Sequence, residues 1–120
     1  MAYNNKGGTD MEKNTSYQDI TPKNAKEWLS SREKPILLDV RTREEYEQKH
    51  IPQSILIPLD VLEEQVTSIL PNKEEKILVY CRSGVRSVQA CILLAKLGYL
   101  HIYNLGGILD WPYETEENSK

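Results

Sequence analysis

One short segment, residues 81–86, brings a cysteine, two arginines and a glycine together. It follows an apolar run and precedes an amphipathic one, so Cys81 is predicted to lie between a buried strand and the start of a helix. A thiolate there would face unpaired backbone N–H groups and the positive end of the helix dipole. Gly84 would let the backbone close around an anion, and Arg82 and Arg86 add positive charge. The segment therefore predicts a readily ionised, nucleophilic thiol.

The rest of the chain supplies elements that can hold this segment in place. Strands are predicted at residues 35–40, 54–58, 76–80 and 101–105, with an edge strand at 17–20, and helices at residues 22–29, 42–49, 59–70 and 85–97. Thr42 and Glu45 have the spacing of a reciprocal capping box. Continuous apolar strands alternating with helices predict an α/β domain with a parallel sheet covered on both faces. Such sheets bind ligands at the carboxyl ends of their strands, where Cys81 falls.

Length and composition exclude several classes of protein. The 120 residues fit one domain, which we place at residues 17–113, between a disordered lead-in or tag at 1–16 and a disordered acidic tail at 114–120. A formal net charge of -3 argues against binding to nucleic acid or to an anionic membrane. No apolar run approaches the roughly 20 residues of a membrane span. The polar N-terminus lacks a secretory signal, which favours a cytoplasmic location.

The two cysteines are interpreted separately. Cys91 lies about 10 Å along the predicted helix from the site, which exceeds the roughly 7 Å that a disulfide allows between Cα atoms. With Val88, Ile92 and Ala95 it has the spacing of one buried stripe, so a core role is expected. Neither the cysteines nor the two histidines have the spacing of metal ligands, and there is no phosphate or dinucleotide loop, so no cofactor is predicted.

Four blocks of residues, in order, are similar to the rhodanese family. The blocks are residues 38–41 with Glu44, Glu45 and Tyr46; residues 50–52 with 57–58; residues 79–87; and residues 105–107 with Trp111. They resemble the family's Asp-Val-Arg segment, its Gly-His-Ile-Pro-Gly-Ala stretch, its active-site loop and its closing segment. Lys49, Gln53 and Ser54 depart from the glycine and alanine usual in the second block, which affects the turn and not the reactive loop.

The resemblance implies a two-step sulfur transfer. Cys81 would take the outer sulfur of thiosulfate or a persulfide donor and pass it from a Cys81 persulfide to a thiol, or to cyanide in an assay. Arg82, Ser83, Gly84, Val85 and Arg86 would bind the anionic donor. A protein could also be the sulfur acceptor, in which case the chain would serve as a sulfur carrier.

Two alternative functions are found in proteins that share either the fold or a thiolate at the start of a helix. Cysteine phosphatases and arsenate reductases place an arginine six positions after the cysteine, where this chain has Ser87. Here Arg86 is five positions after it, and in the rhodanese family the shorter loop goes with sulfur. Non-catalytic modules of rhodanese shape typically lack the cysteine.

Five further positions are expected to support the site. Asp39 and Arg41 would lie on the same sheet edge as Cys81, where they could orient the loop or pair with Glu44 or Glu45 at the surface. His50 is expected to order a turn. Gly106 and Gly107 would let the backbone pass close to the site or cap the sheet edge.

Overall fold

The predicted alternation of strands and helices is present in the computed structural model, which describes residues 17–118. The strands are β1 (Tyr17–Asp19), β2 (Ile36–Asp39), β3 (Ile55–Leu56), β4 (Lys76–Cys81) and β5 (His101–Gly107). The helices are α1 (Pro22–Leu29), α2 (Arg43–Gln48), α3 (Leu59–Ile69) and α4 (Val85–Lys96), followed after β5 by a 3-10 turn (Ile108–Asp110). All neighbouring strands pair in parallel, in the order β1-β5-β4-β2-β3. The predicted class, an α/β domain on a five-stranded parallel sheet, is confirmed.

Successive residues of the central strands point to opposite faces of the sheet, and both faces are covered by helices. One face packs against α1 through Ala25 and Leu29, and the other packs against α3 and α4. The second core contains Leu38, Ile77, Val79, Leu62, Val66, Ala90, Cys91 and Leu94. Cys91 therefore has the core position that its spacing predicted.

Helix α2 begins with the predicted capping box. The Thr42 hydroxyl accepts from the backbone N–H of Glu45, and the Glu45 carboxylate accepts from the backbone N–H of Thr42 at 2.9 Å. The box fixes the start of a helix of only 6 residues, a length that is marginal without such caps. It also fixes the position of the Glu45 carboxylate, which matters for the candidate site.

The strand predicted at residues 54–58 is reduced to two residues. Only Ile55 and Leu56 pair with β2, at the edge of the sheet. Ser54 instead closes a turn, because its N–H donates to the carbonyl oxygen of Ile51. Pro58, which has no N–H to donate, caps α3. The last strand is longer than predicted and continues through Gly107.

The segment after Tyr113 was predicted to be a disordered tail, and its described part is instead attached to the domain. His50 and Glu116 exchange two backbone hydrogen bonds of 2.9 and 2.8 Å, and the N–H of Asn118 donates to the carbonyl oxygen of Glu47. Residues 119–120 and the predicted lead-in, residues 1–16, lie outside the described residues. Within residues 17–118, no helix is long and apolar enough to cross a membrane.

Candidate active site

Cys81 is the last residue of the central strand β4, and α4 begins at Val85. The thiol is therefore held at the carboxyl edge of the sheet, at the strand-to-helix junction that the sequence predicts. Its side chain is buried, whereas Arg82, Ser83 and Val85 of the loop are exposed. The loop thus covers the sulfur with backbone and turns its longer side chains toward solvent.

Two backbone N–H groups donate to the Cys81 sulfur. They belong to Gly84, at 3.0 Å, and to Ser87, at 3.2 Å. Ser87 is the third residue of α4, so its N–H is one of those that a helix leaves without a partner. Its hydroxyl also donates to the carbonyl oxygen of Gly84 at 3.1 Å, which braces the loop. This pair of donors stabilises negative charge on the sulfur.

Ser87 was not among the predicted site residues, which ended at Arg86. The signal was present, because the first-turn N–H groups of a helix that starts at Val85 include that of Ser87. Ser87 lies in the block that is similar to the family's active-site loop, at the position where a phosphatase would have arginine, but no role was predicted for it. Its contact with the sulfur is made by the backbone N–H, whereas its hydroxyl braces the loop.

One glycine in the loop and one on β5 allow the loop to form. Gly84 has a φ of 109°, a left-handed conformation that other residues adopt at a cost. A Cβ on Gly107 would lie 2.3 Å from the carbonyl oxygen of Arg82 and 2.7 Å from Cα of Ser83. That same carbonyl oxygen accepts from the N–H of Leu109 at 3.2 Å. The backbone of β5 therefore runs directly against the loop, in agreement with the prediction for this Gly-Gly pair.

Arg86 does not direct its guanidinium at the sulfur. Both terminal nitrogens bind the Glu45 carboxylate, at 2.8 and 2.9 Å. This ion pair lowers the pKa of Glu45 to about 2, mainly through the hydrogen bonds from Arg86. Arg86 was predicted to bind an anionic substrate, and here it joins α4 to α2. The loop's other cation, Arg82, is exposed and has no carboxylate partner among residues 17–118.

Asp39 and Arg41 form a buried ion pair at the adjacent strand end. The guanidinium of Arg41 binds both carboxylate oxygens, with the shortest contact at 2.7 Å, and also donates to the carbonyl oxygen of Lys49 at 2.6 Å. The alternative expectation, that Arg41 pairs with Glu44 or Glu45, is wrong. The pair instead fastens the end of β2 to the turn after α2.

His50 orders that turn, as expected. Its ring stacks on Tyr46 with centroids 3.9 Å apart, and Nδ1 lies 2.7 Å from the carbonyl oxygen of the same residue. Nε2 lies 3.5 Å from the Glu116 carboxylate. These contacts hold His50 in the turn next to the C-terminal segment, and none of them involves the Cys81 loop.

The second thiol, that of Cys91, does not ionise readily. Cys91 is fully buried, and burial raises its pKa to about 12. Both cysteines are free. Within the described part of the chain, no group of three metal-ligating side chains is close enough to hold an ion.

Comparison with known proteins identifies the family. The model of the rhodanese-like domain matches residues 21–113. The chain belongs to the rhodanese-like domain family. It is 40% identical to the thiosulfate sulfurtransferase PspE of Escherichia coli K12, over 61% of this chain and 70% of that protein. It is 35% identical to a sulfurtransferase of Allochromatium vinosum, over 78% of this chain and 86% of that one.

Solved structures agree with this assignment. A rhodanese-like domain protein from Staphylococcus aureus superposes with a TM-score of 0.75 at 32% identity, over 85% of this chain and 99% of that one. The sheet, the helices and the Cys81 loop thus belong to a rhodanese-like domain, and the enzyme is a sulfurtransferase of the rhodanese type.

Proposed function

We propose that this rhodanese-like enzyme moves a sulfane sulfur from thiosulfate or a persulfide donor to a thiol acceptor, through a persulfide on Cys81. The observation that carries the proposal is the pair of backbone N–H groups that donate to the Cys81 sulfur. Preformed donors at the place where charge changes during a reaction stabilise its transition state without reorganisation. Here they would hold the thiolate before transfer and the sulfur chain after it.

In the first step the Cys81 thiolate attacks the outer sulfur of the donor. With thiosulfate, the bond between the outer and inner sulfur breaks, and its electron pair leaves with sulfite. A persulfide anion remains on Cys81, and the total charge is unchanged. Arg82 supports this step, because it is the exposed cation of the loop and can meet a dianionic donor.

In the second step an acceptor thiolate attacks the outer sulfur of the persulfide. The sulfur–sulfur bond to Cys81 breaks, and its electron pair returns to the Cys81 sulfur as thiolate. The acceptor leaves as a persulfide, and cyanide would leave as thiocyanate. The acceptor thiol can be a small molecule or belong to a protein.

A phosphatase is less well supported by the loop. Phosphate-like anions need a guanidinium aimed into the loop, and Arg86 is bound to Glu45 through both terminal nitrogens. The N–H groups of Gly84 and Ser87 converge on the sulfur itself. This arrangement suits a sulfur anion better than a tetrahedral oxyanion.

Incubation with thiosulfate followed by intact-mass measurement tests the proposal. We expect the protein to gain one sulfur atom, and cyanide or a thiol to remove it. Cys81→Ala should gain none. Cys91→Ala is the matched control, because it removes the other thiol, and it should load sulfur as the wild type does.

Two results would contradict the proposal. The first is a wild-type protein that acquires sulfur neither from thiosulfate nor from a persulfide donor. The second is loading that persists in Cys81→Ala and disappears in Cys91→Ala. Hydrolysis of a phosphate ester that depends on Cys81 would support the phosphatase instead.

A further inference from the structure

An open cavity of about 280 Å³ lies beside the Cys81 loop. Its apolar wall consists of Val40, Pro58 and Leu59, and the other lining residues form a polar rim, which consists of Arg41, Thr42, Asp60 and Arg86. The residues come from the segments that follow β2 and β3, from the start of α3 and from the first turn of α4. The volume is at the small end of the range for sites that bind small molecules.

The sheet register places this cavity beside the end of the strand that carries Cys81. Asp39 is the register partner of Tyr80, and the N–H of Val40 donates to the carbonyl oxygen of Tyr80 at 3.1 Å. Val40 thus follows β2 where Cys81 ends β4, and both side chains belong to the same core cluster. The chain leads from β2 to β3 on one side and from β4 to β5 on the other, so the topological switch point of the sheet lies between β2 and β4. In open α/β sheets, ligands bind at such a point.

Both arginines at the rim already have carboxylate partners. Arg41 is paired with Asp39, and Arg86 is paired with Glu45. Asp60, the remaining charged rim residue, is exposed and negative. An anion entering the cavity would find no unpaired guanidinium, whereas an anion at the loop finds N–H groups and Arg82. The two sides of the sulfur therefore favour different ligands.

We infer that this cavity binds the uncharged, apolar body of the acceptor thiol. The inference rests on the proposed sulfur transfer and adds the class of acceptor. The alkyl part of the thiol would lie against Val40, Pro58 and Leu59, with its thiolate directed at the persulfide on Cys81. The thiolate forms a bond to the outer sulfur, the bond to Cys81 breaks, and Cys81 recovers the electron pair as thiolate.

Transfer from the loaded enzyme to ethanethiol, 1-propanethiol and 1-butanethiol tests the inference. Each methylene group that becomes buried should raise the second-order rate constant about fourfold. Leu59→Asn places a polar group on the cavity wall and should reduce that dependence on chain length. Leu59→Trp fills the cavity with apolar atoms and should remove the advantage of the longer thiols, which gives a second measurement if the asparagine variant does not fold.

Ile69 provides the matched controls, since it lies on the same helix, is 44% exposed and does not line the cavity. Ile69→Asn and Ile69→Trp should retain the dependence on chain length. The inference is overturned if the loaded wild type transfers sulfur at equal rates to all three thiols, or if both Leu59 variants keep the wild-type dependence. Failure of the wild type to load sulfur would instead refute the proposed function.

Discussion

At the scale of single residues, the sulfur of Cys81 accepts its hydrogen bonds from backbone groups. The donors that reach it are the N–H groups of Gly84 and Ser87, and the backbone at Gly107, the register partner of Cys81, runs against the loop. The charged side chains of the loop have other roles, because Arg86 joins two helices and Arg82 faces solvent. Substitutions that alter backbone paths should therefore affect the chemistry more than many side-chain changes.

Gly107→Ala tests this directly. The added Cβ would lie 2.3 Å from the carbonyl oxygen of Arg82, closer than any stable contact. The loop must then move away from β5, and the two N–H groups lose their aim at the sulfur. We expect the rate of sulfur loading from thiosulfate to fall by at least tenfold, with a loss of roughly 1–3 kcal/mol in the free energy of unfolding.

Gly106→Ala is the control for that variant. Gly106 has a φ of 93°, so alanine is strained there, but no atom lies within 4 Å of its added Cβ. It should therefore lower stability while loading remains faster than in Gly107→Ala. Equal loading by wild type and Gly107→Ala would show that the loop tolerates displacement, contrary to the argument from close approach.

The limits of prediction from sequence are clearest at Arg86 and Ser87. The position of Cys81 could be predicted, because a strand, a short loop and a helix follow each other in the chain. The partner of Arg86 could not, because Glu45 lies far away in sequence and several carboxylates were available. Ser87 could have been found by counting the first-turn N–H groups of α4. Side-chain type alone did not reveal it.

At the scale of elements, the long apolar strands and the capped helices were predicted well, since local pattern decides them. The short edge strand β3 was not, because its length depends on how many residues pair with β2, which is a tertiary property. An ion pair between α2 and α4 is likewise a tertiary property. Glu45 both caps α2 and binds Arg86 at the start of α4.

This double role predicts a dependence of stability on pH. The pKa of Glu45 falls from 4.5 to about 2 in the folded protein, chiefly through its hydrogen bonds with Arg86. A carboxylate with a lowered pKa contributes stability that is fully present above pH 4.5 and is lost as the pH falls toward 2. Because the pair is partly exposed to solvent, we expect a contribution of about 1–2 kcal/mol.

Glu45→Gln isolates this contribution, because glutamine can keep the capping box but cannot pair with Arg86 as an anion. Urea unfolding of both proteins should show a difference in stability at pH 6 that shrinks by pH 3. Glu47→Gln is the control, since Glu47 lies on the same helix and reaches Arg43 only at 3.9 Å. A difference between wild type and Glu45→Gln that is the same at both pH values would contradict the assignment.

At the scale of the whole molecule, the site draws on three adjacent strand ends. The central strand β4 carries Cys81, β5 supplies the glycine backbone on one side, and β2 supplies Val40 and the Asp39–Arg41 pair on the other. The surroundings of the sulfur therefore differ between the β5 side and the β2 side. The turn after α2 supports the β2 side, because Arg41 donates to the carbonyl oxygen of Lys49. The C-terminal segment covers this turn.

The C-terminal segment is therefore expected to stabilise the domain. Glu116 exchanges two backbone hydrogen bonds with His50, whose side chain is only 4% exposed, and its carboxylate lies 3.5 Å from Nε2. A chain ending at Tyr113 loses these contacts and exposes the stacked ring of His50. It should be less stable by roughly 1–3 kcal/mol than a chain ending at Asn118, as measured by urea unfolding at pH 7. A solvated, frayed tail, which the composition alone suggests, would give equal stabilities for the two chains. Equal values would therefore remove the segment from the domain, whereas a lower midpoint for the shorter chain would extend the folded unit beyond Tyr113.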